Sequence, residues 1–291
     1  MSANGGLVEA EILGSLAQHR VLSTPQIGAI HLPGHSSRTA QRVTARLAQR
    51  GLIAFASVPG VPGAPRRLWY LTEAGAGAAR EAGMIRRLPR LLSAEQVTGP
   101  LQAHTLAVND AGIAFLATAR ERGDEFAPTS WRHEVEHPLN VGRGRARRSV
   151  IADAVLTYVR LTAEEVVVEQ RFLELDRATL SIDRLAAELS RYARLYKATG
   201  GDGEPVWIER YPWFPPVLCV LAGAARPALE RRRDTAVAML SRDRDLLRTP
   251  EVSIRFCLAA DLVEAGPFEP IFTDVRDPER PTDWLIEEPE A

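Results

Sequence analysis

Lysine is almost absent from this chain. Of its 36 basic residues other than histidine, Lys197 is the only one that is not arginine. Cysteine is nearly as scarce, with only Cys219 and Cys257, each inside an apolar run (PVLCVLAG and VSIRFCLAA). Such positions predict two buried thiols rather than a disulfide or a metal pair. No apolar run is long enough to cross a bilayer, and the opening MSANGGLVEAE lacks the basic-then-apolar layout of a signal peptide. The expectation is therefore a cytoplasmic protein with no membrane partner. Acids are missing from one whole stretch, since none lies between Glu11 and Glu73.

That gap shapes the charge distribution. The formal net charge of −1 hides eleven arginines against five acids from Met1 to Gly99, while the segment from Glu264 to Ala291 holds nine acids and two arginines. A basic N-terminal module points to nucleic acid, and an acidic end points to solvation or autoinhibition.

Within the acid-free stretch, Ser36 to Leu52 (SSRTAQRVTARLAQRGL) reads as a two-faced helix. Ala40, Val43 and Leu47 recur at helical spacing as a buried stripe. Arg38, Arg42, Arg46 and Arg50 recur every four residues as a cationic ridge, which DNA phosphate would offset. Ser36 or Ser37 can cap its start and Gly51 can end it.

The elements around this helix make a module. Leu7 to Arg20 has a helical apolar pattern. Ser23-Thr24-Pro25 opens a short second helix to His31, and Leu32 to His35 is a turn. Three helices with a short second one describe a helix-turn-helix. Leu52 to Ala56 and Arg66 to Leu71 read as strands around the tip VPGVPGAP, a two-stranded wing. A fourth helix, LTEAGAGAAREAG, is capped by Thr72. The passage RRLWYLTEAG resembles the wing-to-helix passage of many bacterial winged helix-turn-helix regulators. In this reading Arg38, Thr39, Gln41 and Arg42 approach base edges or nearby phosphates of double-stranded DNA. Arg46, Arg50, Arg66 and Arg67 mostly hold the backbone. For Arg46 and Arg50 the alternative is simple complementation of a helix C-terminus by positive charge.

Residues 7–85 are thus expected as the winged helix-turn-helix domain and 86–99 as a linker. Residues 100–263 are expected as a second domain and 264–291 as an acidic tail. A long helix over Pro100 to Arg122 opens the second domain, with His104 and Asp110 as structural residues. His133 to His137 spells HEVEH, a literal match to a zinc-peptidase pattern. That chemistry needs both histidines on one helical turn. The stretch WRHEVEHPLN alternates like a strand, in which residues four apart lie roughly 13 Å from each other. The zinc reading is rejected for an exposed strand face carrying both histidines.

A basic loop, Gly142 to Arg148, precedes two strand runs at Val150–Val159 and Glu165–Asp176. A helix over Ser181–Ala198 follows, with Ile182, Leu185, Leu189, Tyr192 and Tyr196 along one face. Then come a strand over Pro216–Ala222, a helix over Arg226–Ser241 and a strand over Val252–Ala260. This order predicts a mixed-sheet α+β domain. Asp153 falls in the first strand, and Glu174 and Asp176 share a face at the end of the second. Three such acids suit Mg²⁺ or Mn²⁺, which supports phosphodiester cleavage. The alternative is a set of strand-end acids paired with Arg177, Arg184 or Arg191. Trp207, Trp213 and Phe214 in VWIERYPWFPP read as a binding edge or as a loop packed over the core.

The order of elements and the acids resemble the PD-(D/E)xK nuclease fold. The whole chain resembles the replication-relaxation family of actinobacterial and plasmid-associated proteins. The features that carry this are the N-terminal winged helix, LQAHTLAVNDAG on the long helix, IADAVL and FLELDRATLSIDRLAAELSRYARLY. The family implies roles in plasmid replication, DNA relaxation or mobilisation, and the nuclease likeness implies metal-dependent nicking through Asp153, Glu174 and Asp176. One departure stands out: the nuclease pattern has lysine two residues after the glutamate, where this chain has Asp176. Lys197 lies about 25 Å along the following helix and is too distant to replace it. A DNA-binding protein with a degenerate nuclease-like domain is the primary expectation. A homodimer is compatible with the module, although nothing marks a dimer face.

Overall fold

The computed structural model describes residues 3–58, 66–99, 102–139 and 149–285. The expected wing tip beyond Val58, the basic loop at 142–148 and residues 286–291 of the acidic tail lie outside the described residues. The chain divides into two compact units, Met1–Ala117 with Ala127–Thr129, and Thr118–Phe126 with Ser130–Ala291.

The first unit is a winged helix-turn-helix. It contains α1 (Ala3–His19), β1 (Leu22–Ser23), α2 (Thr24–His31), α3 (Ser37–Gln49), β2 (Ile53–Val58), β3 (Arg66–Leu71), α4 (Glu73–Glu81) and α5 (Ala94–Val97). Ser23 starts α2 with a full capping box, its hydroxyl accepting from the Gln26 N–H while Gln26 returns to the Ser23 N–H. Helix α3 ends as a Schellman turn. Gly51 takes φ +69°, and the Leu52 N–H reaches the Leu47 carbonyl at 3.1 Å. The buried stripe of α3 is Ala40, Thr44 and Leu47 rather than Ala40, Val43 and Leu47. Thr44 is tolerated there because its hydroxyl donates to the Ala40 carbonyl at 2.9 Å. The wing is the antiparallel pair β2–β3, with β1 on the other side of β3.

The boundary expected at residue 100 falls instead within α6 (Gln102–Arg122), between Ala117 and Thr118. The physical reason is polar as well as apolar. Asn109 Nδ2 donates to the Val21 carbonyl at 3.0 Å, Gln26 Nε2 donates to the Leu106 carbonyl at 2.8 Å, and Leu106 joins a core with Val21, Ala56, Leu68 and Val97. The stretch expected as a linker contributes α5 and the buried Val97 to that core.

The second unit is built on a six-stranded mixed sheet in the order β4 (Trp131–Pro138), β5 (Ser149–Leu161), β6 (Val166–Asp176), β7 (Val217–Leu221), β8 (Ile254–Leu258), β9 (Thr273–Asp274). Strands β4, β5 and β6 are antiparallel; β6, β7 and β8 are parallel, joined by crossovers through α7 (Ile182–Lys197) and α8 (Arg226–Leu240). Leu185, Leu189 and Tyr192 of α7 and Leu229, Ala236 and Val237 of α8 share one core with Val155, Phe172 and Cys219. Cys219 and Cys257 are both buried free thiols.

Residues 264–285, expected as an acidic tail, are part of this unit. After α9 (Ala259–Ala265), Phe268 packs edge-on to Trp284, which is fully buried beside Tyr158. Arg171 lies 4.9 Å from the Trp284 ring, and Arg255 Nη1 donates to the Asp283 carbonyl at 2.8 Å. Asp274 is neutralised by Arg255 at 3.2 Å. The aromatic anchors are too widely spaced to give a periodic signal, so the count of acids dominates the sequence reading.

Candidate nucleic-acid interface and a buried carboxyl pair

The arginine ridge of α3 divides into two halves. In the first half, Arg38, Gln41 and Arg42 are exposed, and Thr39 is half-buried with its hydroxyl 3.3 Å from that of Ser36. Among the described residues no carboxylate is paired with Arg38 or Arg42. In the second half both arginines have a partner. Glu9 of α1 is buried, and its two oxygens accept from Arg46 Nε at 2.6 Å and Arg50 Nη1 at 2.5 Å.

At the wing, Arg66 Nη2 donates to Ser23 Oγ at 3.2 Å, and the Arg67 guanidinium stacks 4.7 Å from the Phe55 ring centroid. Ser23 is also the cap of α2, so the wing base and the helix-turn-helix share one hydroxyl. Gln26 extends this network by donating to Asp110 Oδ1 at 2.7 Å. Burial pushes the Asp110 carboxyl up, against the opposing pull of the Gln26 hydrogen bond and the Arg66 charge.

In the second unit the structure brings Asp153 and Glu174 together and assigns Asp176 elsewhere. The β4–β5 ladder pairs His133 with Ala154 and Val135 with Ala152, and between these pairs Glu134 takes φ +50°. Asp153 Oδ2 takes the Leu175 N–H at 2.8 Å, just past the Ala154–Leu173 pair that ends the β5–β6 ladder. Glu174 accepts from the Tyr192 hydroxyl at 2.5 Å and is hydrogen-bonded to Asp153. Burial, then the adjacent Asp153 charge, pushes the Glu174 carboxyl well above its usual range. Tyr192 is likewise pushed up, by burial and then by Glu174.

Asp176 is clasped by Arg232 of α8, Nε to Oδ2 and Nη2 to Oδ1 at 3.0 Å, and Arg232 also donates to the Leu180 carbonyl at 2.8 Å. The partner is therefore none of Arg177, Arg184 or Arg191; Arg184 pairs with Glu188 at 3.4 Å. Asp153, Glu174 and Asp176 do not form a set of three free carboxylates. Among the described residues no group of three or more His, Cys, Asp or Glu is placed to hold a metal ion. A buried carboxyl that accepts from a tyrosine hydroxyl, beside an arginine-bound aspartate, is a poor donor set for a divalent cation. Lys197 is exposed at the end of α7.

The HEVEH stretch is strand β4, but only His133 approaches the expected exposure. His137 is buried, 2.7 Å from the Tyr211 hydroxyl and edge-on to Phe172, and burial lowers its pKa to about 4. Phe214 is buried against Tyr196 and Trp207, whereas Trp213 is exposed.

Four functional or positioning residues escape the sequence reading: Glu9, Gln26, Tyr192 and Arg232. Tyr192 is visible only as part of an apolar stripe. Arg232 carries a usable signal, because it lies at the apolar phase of α8 between Leu229 and Ala236, where an unpaired charge is costly.

The sequence profile described as replication-relaxation matches residues 13–204. No curated protein matches the chain. Among solved structures, one similar chain is that of Bacillus subtilis PadR in complex with operator DNA, at 15% identity and a TM-score of 0.24. That likeness covers 40% of this chain and 69% of the other.

Proposed function

We propose that this chain, which belongs to the replication-relaxation family, binds double-stranded DNA through its winged helix in plasmid or mobile-element replication, relaxation or transcriptional control. The observation that carries this reading is the outward half of α3, where Arg38, Gln41 and Arg42 stand exposed with no carboxylate partner among the described residues. Arginine and glutamine side chains there suit base edges and flanking phosphates, and Arg66 and Arg67 would follow the backbone from the wing. The protein would act in the cytoplasm. Titration of labelled duplex DNA at rising salt tests it. Affinity that falls linearly with log salt supports the reading, and affinity that is absent or salt-independent sinks it.

The sheet unit is, in this reading, a degenerate PD-(D/E)xK-like domain, supported by the Tyr192–Glu174 hydrogen bond and the Arg232–Asp176 clasp. The convergence of Asp153 and Glu174 keeps one rival reading in play, that of a Mg²⁺- or Mn²⁺-dependent nicking enzyme using Asp153, Glu174 and Asp176. A supercoiled-plasmid assay with Mn²⁺ separates them. No nicking above background supports the degenerate domain, whereas nicking that Asp153→Asn abolishes establishes the enzyme.

A further inference from the structure

We infer that Glu9 is an internal counter-ion that withholds Arg46 and Arg50 from DNA and confines phosphate contact on α3 to Arg38 and Arg42. The inference rests on the DNA-binding reading above. Four arginines at i, i+4 spacing would give a ridge that grips any phosphate backbone, because such contacts carry no sequence information. The structure breaks that ridge with one residue. Only two acids, Glu9 and Glu11, precede the acid-free stretch, and Glu11 lies on the side of His31, 3.9 Å from its ring. Glu9 alone faces α3, with its side chain 7% exposed.

Both Glu9 oxygens are used, one by each guanidinium, at 2.6 and 2.5 Å. The guanidinium groups are therefore turned toward α1, although their side chains keep 54% and 50% of their surface. A phosphate approaching Arg46 or Arg50 has to displace a carboxylate that water barely reaches. Charge-assisted hydrogen bonds of that length resist exchange. Two consequences follow: the pose of α3 against α1 is fixed, and sequence-independent affinity is held down, so base contacts from Gln41, Arg38 and Arg42 weigh more in the total. Glu9 is a positioning and specificity-determining residue, not a contact.

The test uses the full chain, a fluorescein-labelled random-sequence 20-bp duplex and anisotropy at several salt concentrations. Each phosphate contact adds about 0.9 to the slope of log affinity against log salt. Glu9→Gln keeps the shape of the side chain and releases the arginines, so its slope should steepen by about 1 to 2 units and its affinity for random duplex should rise. The triple variant Glu9→Gln/Arg46→Gln/Arg50→Gln should return to the wild-type slope. Should Glu9→Gln fail to fold, Arg46→Gln/Arg50→Gln in the wild-type background decides: an unchanged slope supports the inference, and a loss of about 2 units overturns it. A wild-type protein that binds with a salt dependence untouched by Glu9→Gln overturns the counter-ion role alone. A wild-type protein with no salt-dependent binding overturns the DNA-binding reading and this inference together.

Discussion

Arg232 reaches from α8 to the end of β6 and closes on Asp176 with both of its forked nitrogens. Both side chains are nearly buried, at 10% and 3% exposure. A pair in that setting contributes little by itself, but removing one member strands the other charge in the interior. Arg232→Leu should therefore destabilise the second unit by about 3 kcal/mol. Arg232→Lys should recover only part of this, because an ammonium cannot match the two-point geometry. Urea unfolding followed by tryptophan fluorescence checks both, and near-identical midpoints for all three proteins would show that the clasp is not structural.

Glu174 gives stability a defined pH dependence. Its folded pKa is raised above the ordinary 4.5 by burial and by Asp153, so the folded state holds a proton that the unfolded chain releases. The folded state then binds more protons than the unfolded one, and stability falls as pH rises from about 4.5 upward. His137 acts on the acid side of the same range with the opposite sign. Its pKa is lowered from 6.5 to about 4, so its contribution is full above 6.5 and is lost as pH falls toward 4. Glu174→Gln should remove the loss at high pH and leave the loss at low pH in place. Unfolding midpoints from pH 5 to pH 8 decide, and parallel curves for wild type and Glu174→Gln would refute the raised Glu174 pKa.

Two glycines of α4 should respond in opposite directions to alanine. A Cβ on Gly75 would lie 1.8 Å from the Leu52 carbonyl oxygen, a backbone atom that cannot step aside, whereas one on Gly77 would meet nothing within 4 Å. Gly75→Ala should destabilise the first unit by at least about 2 kcal/mol. Gly77→Ala should stabilise it by about 0.5–1 kcal/mol through helix propensity. Thermal unfolding of the two variants side by side is sufficient, and a Gly75→Ala protein as stable as wild type would contradict the close approach.

Gln26 links the cap of α2 to α6 through Ser23, the Leu106 carbonyl and Asp110. Gln26→Leu leaves the buried Ser23 N–H and Leu106 carbonyl short of hydrogen bonds and should cost about 2–3 kcal/mol. It should also weaken DNA binding without changing the salt slope, since no phosphate contact is removed. A flatter slope would mean that Gln26 itself touches DNA.

The parts of the fold that were legible in the sequence are those with local signals. Ser23-Thr24-Pro25, Thr72 and Gly51 fix helix ends, and periodicity locates α3, α7 and the strands of the central sheet, because burial repeats at 3.6 or 2 residues. Partners distant in sequence were not legible. Asp176 finds Arg232 and Glu174 finds Tyr192 only after the sheet has formed, and Arg46 and Arg50 find Glu9 across a gap of about forty positions. The same holds for Trp284, an isolated aromatic in an acid-rich stretch whose burial depends on Tyr158 and Arg171. Exposed charge without a local partner, as at Arg38 and Arg42, is the one site feature that sequence pattern and structure describe in the same terms.

The outward half of α3 is the surface proposed to meet DNA. Duplex binding by anisotropy at several salt concentrations tests it, comparing wild type, Arg38→Gln/Arg42→Gln and a control, Arg231→Gln, on the exposed surface of α8. The α3 double variant should lose about 2 units of salt slope and most of its affinity, while the α8 variant should match wild type. Equal binding by all three proteins would contradict it.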